Sequence, residues 1–203
     1  NCCSVNAARG LGMVSDWALM KDREGLVLNW YGPGKITTEV AEGIQVQLTQ
    51  TTTYPVEGAV QIGVDPSKPA EFTLRLRVPY WSKQTTLDIN GEEPATLKPG
   101  TYFALKREWK PGDKVNLKLD MTPHFWVGDR ECKGKVSAYR GPVLLTWDRR
   151  FNDMDPSTIP VTPASSFPGK RIEWKGSQKP ILLWELPVGD GKVVRLCDFA
   201  SAG

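Results

Sequence analysis

Histidine is nearly missing from this sequence: His124 is its single instance in 203 residues. That excludes a two-histidine metal site within the chain, and any serine–histidine pair would have to be built on His124. No Gly-x-Ser-x-Gly elbow is there to accompany one. In Pro123-His124-Phe125-Trp126 the plainer reading is a packed or surface side chain. Phosphate-binding glycine loops are missing too, since neither Gly-x-Gly-x-x-Gly nor Gly-Lys-Ser/Thr occurs. No apolar run nears the roughly 20 residues that cross a bilayer as a helix, so no membrane partner is expected. The net charge is only +3, with lysines and arginines scattered rather than blocked. A solvated mixed-charge surface explains that better than nucleic-acid binding. No initiator Met or signal-like segment opens the chain. The compartment stays open, with the bacterial periplasm and cytoplasm both compatible.

What is present points to a folded, mainly β protein. Apolar residues make up 40% and charged residues 24%, ordinary values for a globular chain. The length suffices for one large domain or two small ones. From Val5 to about Lys21 the apolar residues recur at helical spacing: Ala7, Leu11, Val14 and Ala18 form one stripe, Met13, Trp17 and Met20 another. Two stripes predict a helix covered on more than one side. Nothing later in the chain reads as a second helix, so an upstream helical partner is expected.

After Gly25 the period becomes two. Leu26–Tyr31, Gly43–Thr51, Gly58–Val64, Phe72–Val78, Thr86–Ile89, Tyr102–Trp109 and Lys114–Leu119 read as strands, with Asn90-Gly91 a tight turn. Val136–Tyr139 and Val143–Trp147 flank Arg140-Gly141-Pro142. Between Arg149 and Lys170 the composition shifts to Pro, Ser, Thr and Asp, as in a surface connection whose most exposed part is Asn152–Ser157. Arg171–Trp174, Ile181–Leu186 and Val193–Cys197 add three strands. The expected division is a helix over 1–24, an antiparallel β-sandwich over 25–150, and a linker with a short β-rich segment over 151–203.

Chemistry concentrates at the start. Cys2 and Cys3 precede the helical pattern, and a helix N-terminus favours thiolate, the form that attacks carbon or binds metal. At such an entrance two sulfurs can reach one ion, and zinc takes thiolates among its four ligands. Cys132 lies in a polar loop, while Cys197 closes an apolar strand and reads as a small core residue. Four cysteines allow three disulfide pairings or none. Buried or reactive thiols are the preferred reading.

Cys2-Cys3-Ser4-Val5-Asn6-Ala7-Ala8-Arg9-Gly10-Leu11 resembles the Cys-Cys-x-x-Asn-x-x-Arg signature of the β-L-arabinofuranosidase-type glycoside hydrolases, family 127 and its relatives. Gly25–Tyr31, Pro69–Trp81 and Tyr139–Leu144 are similar to that family in the same order. The resemblance implies an (α/α)₆ catalytic barrel followed by β-sandwich domains, with residues 1–24 as the barrel's last helix. It implies Cys2 as a nucleophile forming a thioglycosyl intermediate, Cys2 and Cys3 as zinc ligands, and an arabinofuranoside-like sugar as substrate. The other ligands and the acid/base glutamate fall upstream of the motif, so zinc is expected in the complete enzyme, and this portion alone is expected to be inactive and not to retain the metal. Many relatives carry two prolines where Ser4 and Val5 stand here, which leaves the substrate sugar open. Association of identical chains into a homo-oligomer is likewise left open. Asn6 and Arg9 read as braces of the helix start.

A different class of function fits the same residues. The chain has eight tryptophans, and a β-sandwich can bind carbohydrate without catalysis, through exposed aromatic rings, or act as a scaffold with those rings buried.

Overall fold

The computed structural model describes residues 2–159, 167–189 and 191–203. One helix, α1 (Cys2–Ala18), precedes sixteen strands: β1 (Leu19–Lys21), β2 (Gly25–Leu28), β3 (Gly34–Ala41), β4 (Ile44–Thr52), β5 (Ala59–Pro66), β6 (Ala70–Val78), β7 (Thr85–Ile89), β8 (Ala95–Leu97), β9 (Thr101–Trp109), β10 (Asp113–Lys118), β11 (Pro123–Val127), β12 (Val136–Arg140), β13 (Val143–Trp147), β14 (Lys170–Arg171), β15 (Leu183–Pro187) and β16 (Val193–Asp198). The chain divides into two compact units, residues 1–120 and 121–203. The composition change near 150 had suggested a later division. It marks instead a connection inside the second unit, because β13 pairs with β16.

In the first unit, one sheet has the order β1-β2-β6-β9 and the other β3-β4-β5-β10-β7-β8. Every pairing is antiparallel except β2 with β6. The period-two pattern does its work here. Leu74 and Leu76 of β6, Val46 and Leu48 of β4, Ile62 and Val64 of β5, and Val115 of β10 are all fully buried, while the residues beside them, Thr73 apart, are more exposed. Trp109 is also fully buried, and its indole N–H donates to the Phe72 carbonyl at 3.1 Å. Each such large apolar side chain stabilises the fold by about 1.5–3 kcal/mol relative to exposure.

Gly25 sets the passage from helix to sandwich. A Cβ there would lie 2.1 Å from the Thr73 carbonyl oxygen, so β2 reaches β6 only without a side chain. The preceding turn is tied by Asp22, whose Oδ1 accepts from the N–H groups of Glu24 (2.8 Å) and Gly25 (3.0 Å). Arg75 bridges Asp22 at 2.6 Å and also pairs with Glu24. Those contacts, the Glu24 N–H foremost, hold the Asp22 carboxyl below its usual range. At the expected hairpin, Asn90 (φ 55°) and Gly91 (φ 84°) both adopt left-handed backbone, and Glu92 N–H closes the turn on Ile89 at 3.0 Å.

The second unit is one six-stranded antiparallel sheet, β11-β12-β13-β16-β15-β14. Phe151, Leu183 and Cys197 form a buried cluster with Trp174 against it. Asp148, just past β13, accepts bidentately from Arg150 and also from the Gly203 N–H at 3.1 Å. Arg150 further donates to the Ser201 carbonyl, so this knot ties the last residues of the chain to the sheet. Asn152, expected to be among the most exposed positions, is half-buried. Its Nδ2 donates to the Asp148 and Arg195 carbonyls and its Oδ1 accepts from Arg195 N–H.

Candidate active site

The double cysteine forms the first turn of α1, beginning the helix three residues earlier than the apolar periodicity suggested. The two sulfurs lie 3.7 Å apart, and both residues are exposed. Two thiolates bound to one tetrahedral zinc at roughly 2.3 Å per bond stand about 3.8 Å apart. The pair therefore fits two vertices of a zinc site. No group of three or more His, Cys, Asp or Glu residues suited to a metal occurs among the described residues. The donor set is right in kind and half complete in number.

Helix α1 has no buried residue. Val5 (68%), Leu11 (76%), Val14 (46%) and Trp17 (44%) are open to solvent. The two apolar stripes are real, and nothing among the described residues covers them. Asn6 and Arg9 stand one and two turns into the helix, both exposed.

At its other end the helix is held by the first sheet. The expected helix to Lys21 stops at Ala18, because Leu19–Lys21 pairs with β2. Asn29 N–H donates to the Ala18 carbonyl at 2.9 Å, and Asn29 Nδ2 donates to the Trp17 carbonyl at 2.9 Å. Both acceptors belong to the open carbonyl end of the helix. Asn29 Oδ1 in turn accepts from the Tyr102 hydroxyl. Sequence reasoning missed this clasp, since an asparagine after a strand resembles any turn residue.

The remaining candidates separate from the pair. All four cysteines are free thiols. Cys132 is exposed in a short 3₁₀ turn, Arg130–Cys132. Cys197 is fully buried in β16, and burial pushes its thiol up to about 11. At neutral pH it is a protonated core residue. His124 stacks on Tyr139 with ring centroids 5.8 Å apart, and its Nδ1 lies 3.2 Å from the Thr122 carbonyl.

Both units are built from antiparallel-rich sheets, and comparison with known proteins shows what they are similar to. Residues 25–121 match the model of the glycoside hydrolase family 127 β-L-arabinofuranosidase middle domain. Among solved structures, a glycoside hydrolase matches at TM-score 0.79 and 27% identity over 98% of this chain and 37% of its own. A GH127 β-L-arabinofuranosidase from Geobacillus stearothermophilus T6 matches at TM-score 0.78 and 23% identity, over 98% of this chain and 35% of its own. A GH127 β-arabinofuranosidase matches at TM-score 0.76 and 19% identity, over 98% and 36%. The last two establish likeness of fold alone. The chain spans little more than a third of the length of these structures. No curated protein sequence matches it.

Proposed function

We propose that these residues are the C-terminal portion of a retaining, β-L-arabinofuranosidase-like glycoside hydrolase, to which they contribute the nucleophile and part of a zinc site. The observation that carries this reading is the pair of exposed sulfurs, 3.7 Å apart, at the entrance of α1. A retaining glycosidase needs a nucleophile on one face of the sugar and a proton donor beside the leaving oxygen. Cys2 Sγ takes the first role, forming a carbon–sulfur bond as the glycosidic carbon–oxygen bond breaks; water then cleaves the carbon–sulfur bond. Cys2 and Cys3 would together hold the zinc, which when bound keeps a coordinated thiol deprotonated. Asn6 and Arg9 brace the helix start. The proton donor and the remaining ligands come from outside these residues, and the isolated chain is inactive.

The test uses the reading frame extended upstream of Asn1. In that protein Cys2→Ser lowers kcat for an aryl β-L-arabinofuranoside by about 10³-fold or more, and Cys3→Ser releases zinc. Full activity in Cys2→Ser would remove the proposal.

A further inference from the structure

The three strands β2, β6 and β9 meet at one end of the first sheet, where β2 and β6 finish and β9 begins. Three aromatic side chains stand open there: Trp30 (42% exposed), Tyr80 (56%) and Tyr102 (49%). Tyr80, Tyr102, Arg77 and Thr101 line a hollow of about 240 Å³. Pockets for drug-sized ligands run roughly 300–1,000 Å³, so this hollow has room for one ring. The Arg77 guanidinium lies 5.4 Å from the Trp30 ring centroid. It makes no hydrogen bond or ion pair among the described residues, and its donors remain available at the hollow.

The walls are fixed from behind. Tyr31, 9% exposed, donates its hydroxyl to the Arg77 carbonyl at 2.6 Å. Tyr102 is anchored on Asn29, which also holds the C-terminal end of α1. Gly100, at φ +73°, donates its N–H to the Val78 carbonyl at 2.9 Å and brings the start of β9 against Tyr80. Ligand entry therefore requires little ordering of side chains, which removes a main cost of binding.

We propose that this hollow is a carbohydrate subsite holding a single sugar ring. The ring's C–H face packs on Tyr102 and Tyr80, and its hydroxyls accept from Arg77. Aromatic plates beside unpaired fork-shaped donors match a ring that is apolar on its faces and polar at its rim. The choice of sugar as ligand class rests on the glycoside hydrolase reading; the site itself uses neither Cys2 nor Cys3.

The experiment is a titration of the isolated chain with L-arabinose and an arabinobiose, followed by two-dimensional NMR of the Trp30 indole N–H and the Arg77 Nε–H. We expect shifts confined to Trp30, Arg77, Tyr102 and their neighbours, saturating on the order of millimolar. Tyr102→Ala and Arg77→Ala each weaken binding by about 3- to 10-fold, with the rest of the spectrum showing an intact fold. A Cys2→Ser/Cys3→Ser double variant binds as the parent does, so loss of the nucleophile reading leaves this result untouched. Absence of shifts up to about 50-fold above that concentration overturns the proposal. Equal binding by the Tyr102 and Arg77 variants does so too. So does burial of Trp30 against protein in the upstream-extended polypeptide, shown by loss of its reactivity toward an indole-oxidising reagent.

Discussion

Helix α1 and strand β6 carry similar apolar sequences and meet opposite fates. In β6, Phe72, Leu74, Leu76 and Val78 alternate inward and end between 0% and 5% exposed. In α1, Val5, Leu11, Val14 and Trp17 recur at helical spacing and remain exposed. The strand has a second sheet to pack against; the helix has only a clasp at its last turn. Stability and candidate chemistry are thus separated within the first unit. The sandwich supplies the folding energy, and the cysteines ride on an element that draws little from it.

The largest test of this contrast is amide hydrogen exchange on the isolated chain. A solvated helix of seventeen residues, with Gly10 and Gly12 inside it, is marginal on its own. Amides of α1 beyond its first turn should exchange roughly 10³-fold or more faster than those of β6 and β9. Equal protection would mean that the helix is stabilised by contacts the geometry does not show.

Core truncation comes next. Leu74→Ala should cost about 2–5 kcal/mol, while Leu11→Ala should stay within about 0.5 kcal/mol. Chemical denaturation of the two variants reads the difference directly, and comparable losses would erase the contrast.

The second unit has its own weak point, at Asp148. Its side chain is 3% exposed and bound bidentately by Arg150. Arg150 is the chief cause holding the carboxyl well below the usual range, helped by the Arg150 and Gly203 N–H groups. The folded state thus holds the proton less tightly than the unfolded one, whose value is about 3.9. The resulting stabilisation is complete above about pH 5 and is lost as pH falls through the folded value. Asp148→Asn should cost about 2 kcal/mol at pH 7 and flatten the acid limb of the unfolding curve. An unchanged acid limb would show that the knot does not govern the second unit.

The smallest effect is expected at the clasp. Asn29→Ala removes one side-chain bond to the helix end and one to Tyr102, at about 1 kcal/mol. Its signature is faster exchange at Trp17 and Ala18 with the sheet amides unchanged.

Much of this arrangement was legible in the residues. Strict alternation in Phe72–Val78 and Lys114–Leu119 identified β6 and β10 because one face of each is dry. Asn90-Gly91 identified its turn because both positions need left-handed backbone. Strand β3 was not legible: in Lys35-Ile36-Thr37-Thr38-Glu39 only Ile36 is apolar, as suits an edge strand with both faces wet. Strand β1 continues the helical pattern of α1, and only pairing with β2 turns Leu19–Lys21 into a strand. The boundary at 120 was hidden because strands continue across it in sequence. At the site, the cysteine pair announced itself by spacing, whereas Asn29 and Tyr102 are 73 residues apart and are joined only by the fold.

The most direct measurement of the central claim, that Cys2 and Cys3 form two corners of one metal site, is titration of the metal-free, upstream-extended polypeptide with Co²⁺ as a spectroscopic stand-in for zinc. A thiolate-to-cobalt charge-transfer band should appear with one ion per chain, fall sharply in Cys2→Ser and in Cys3→Ser, and persist in Cys132→Ser. A band that survives in the Cys2→Ser/Cys3→Ser double variant, or no band at any cobalt concentration, would contradict the account.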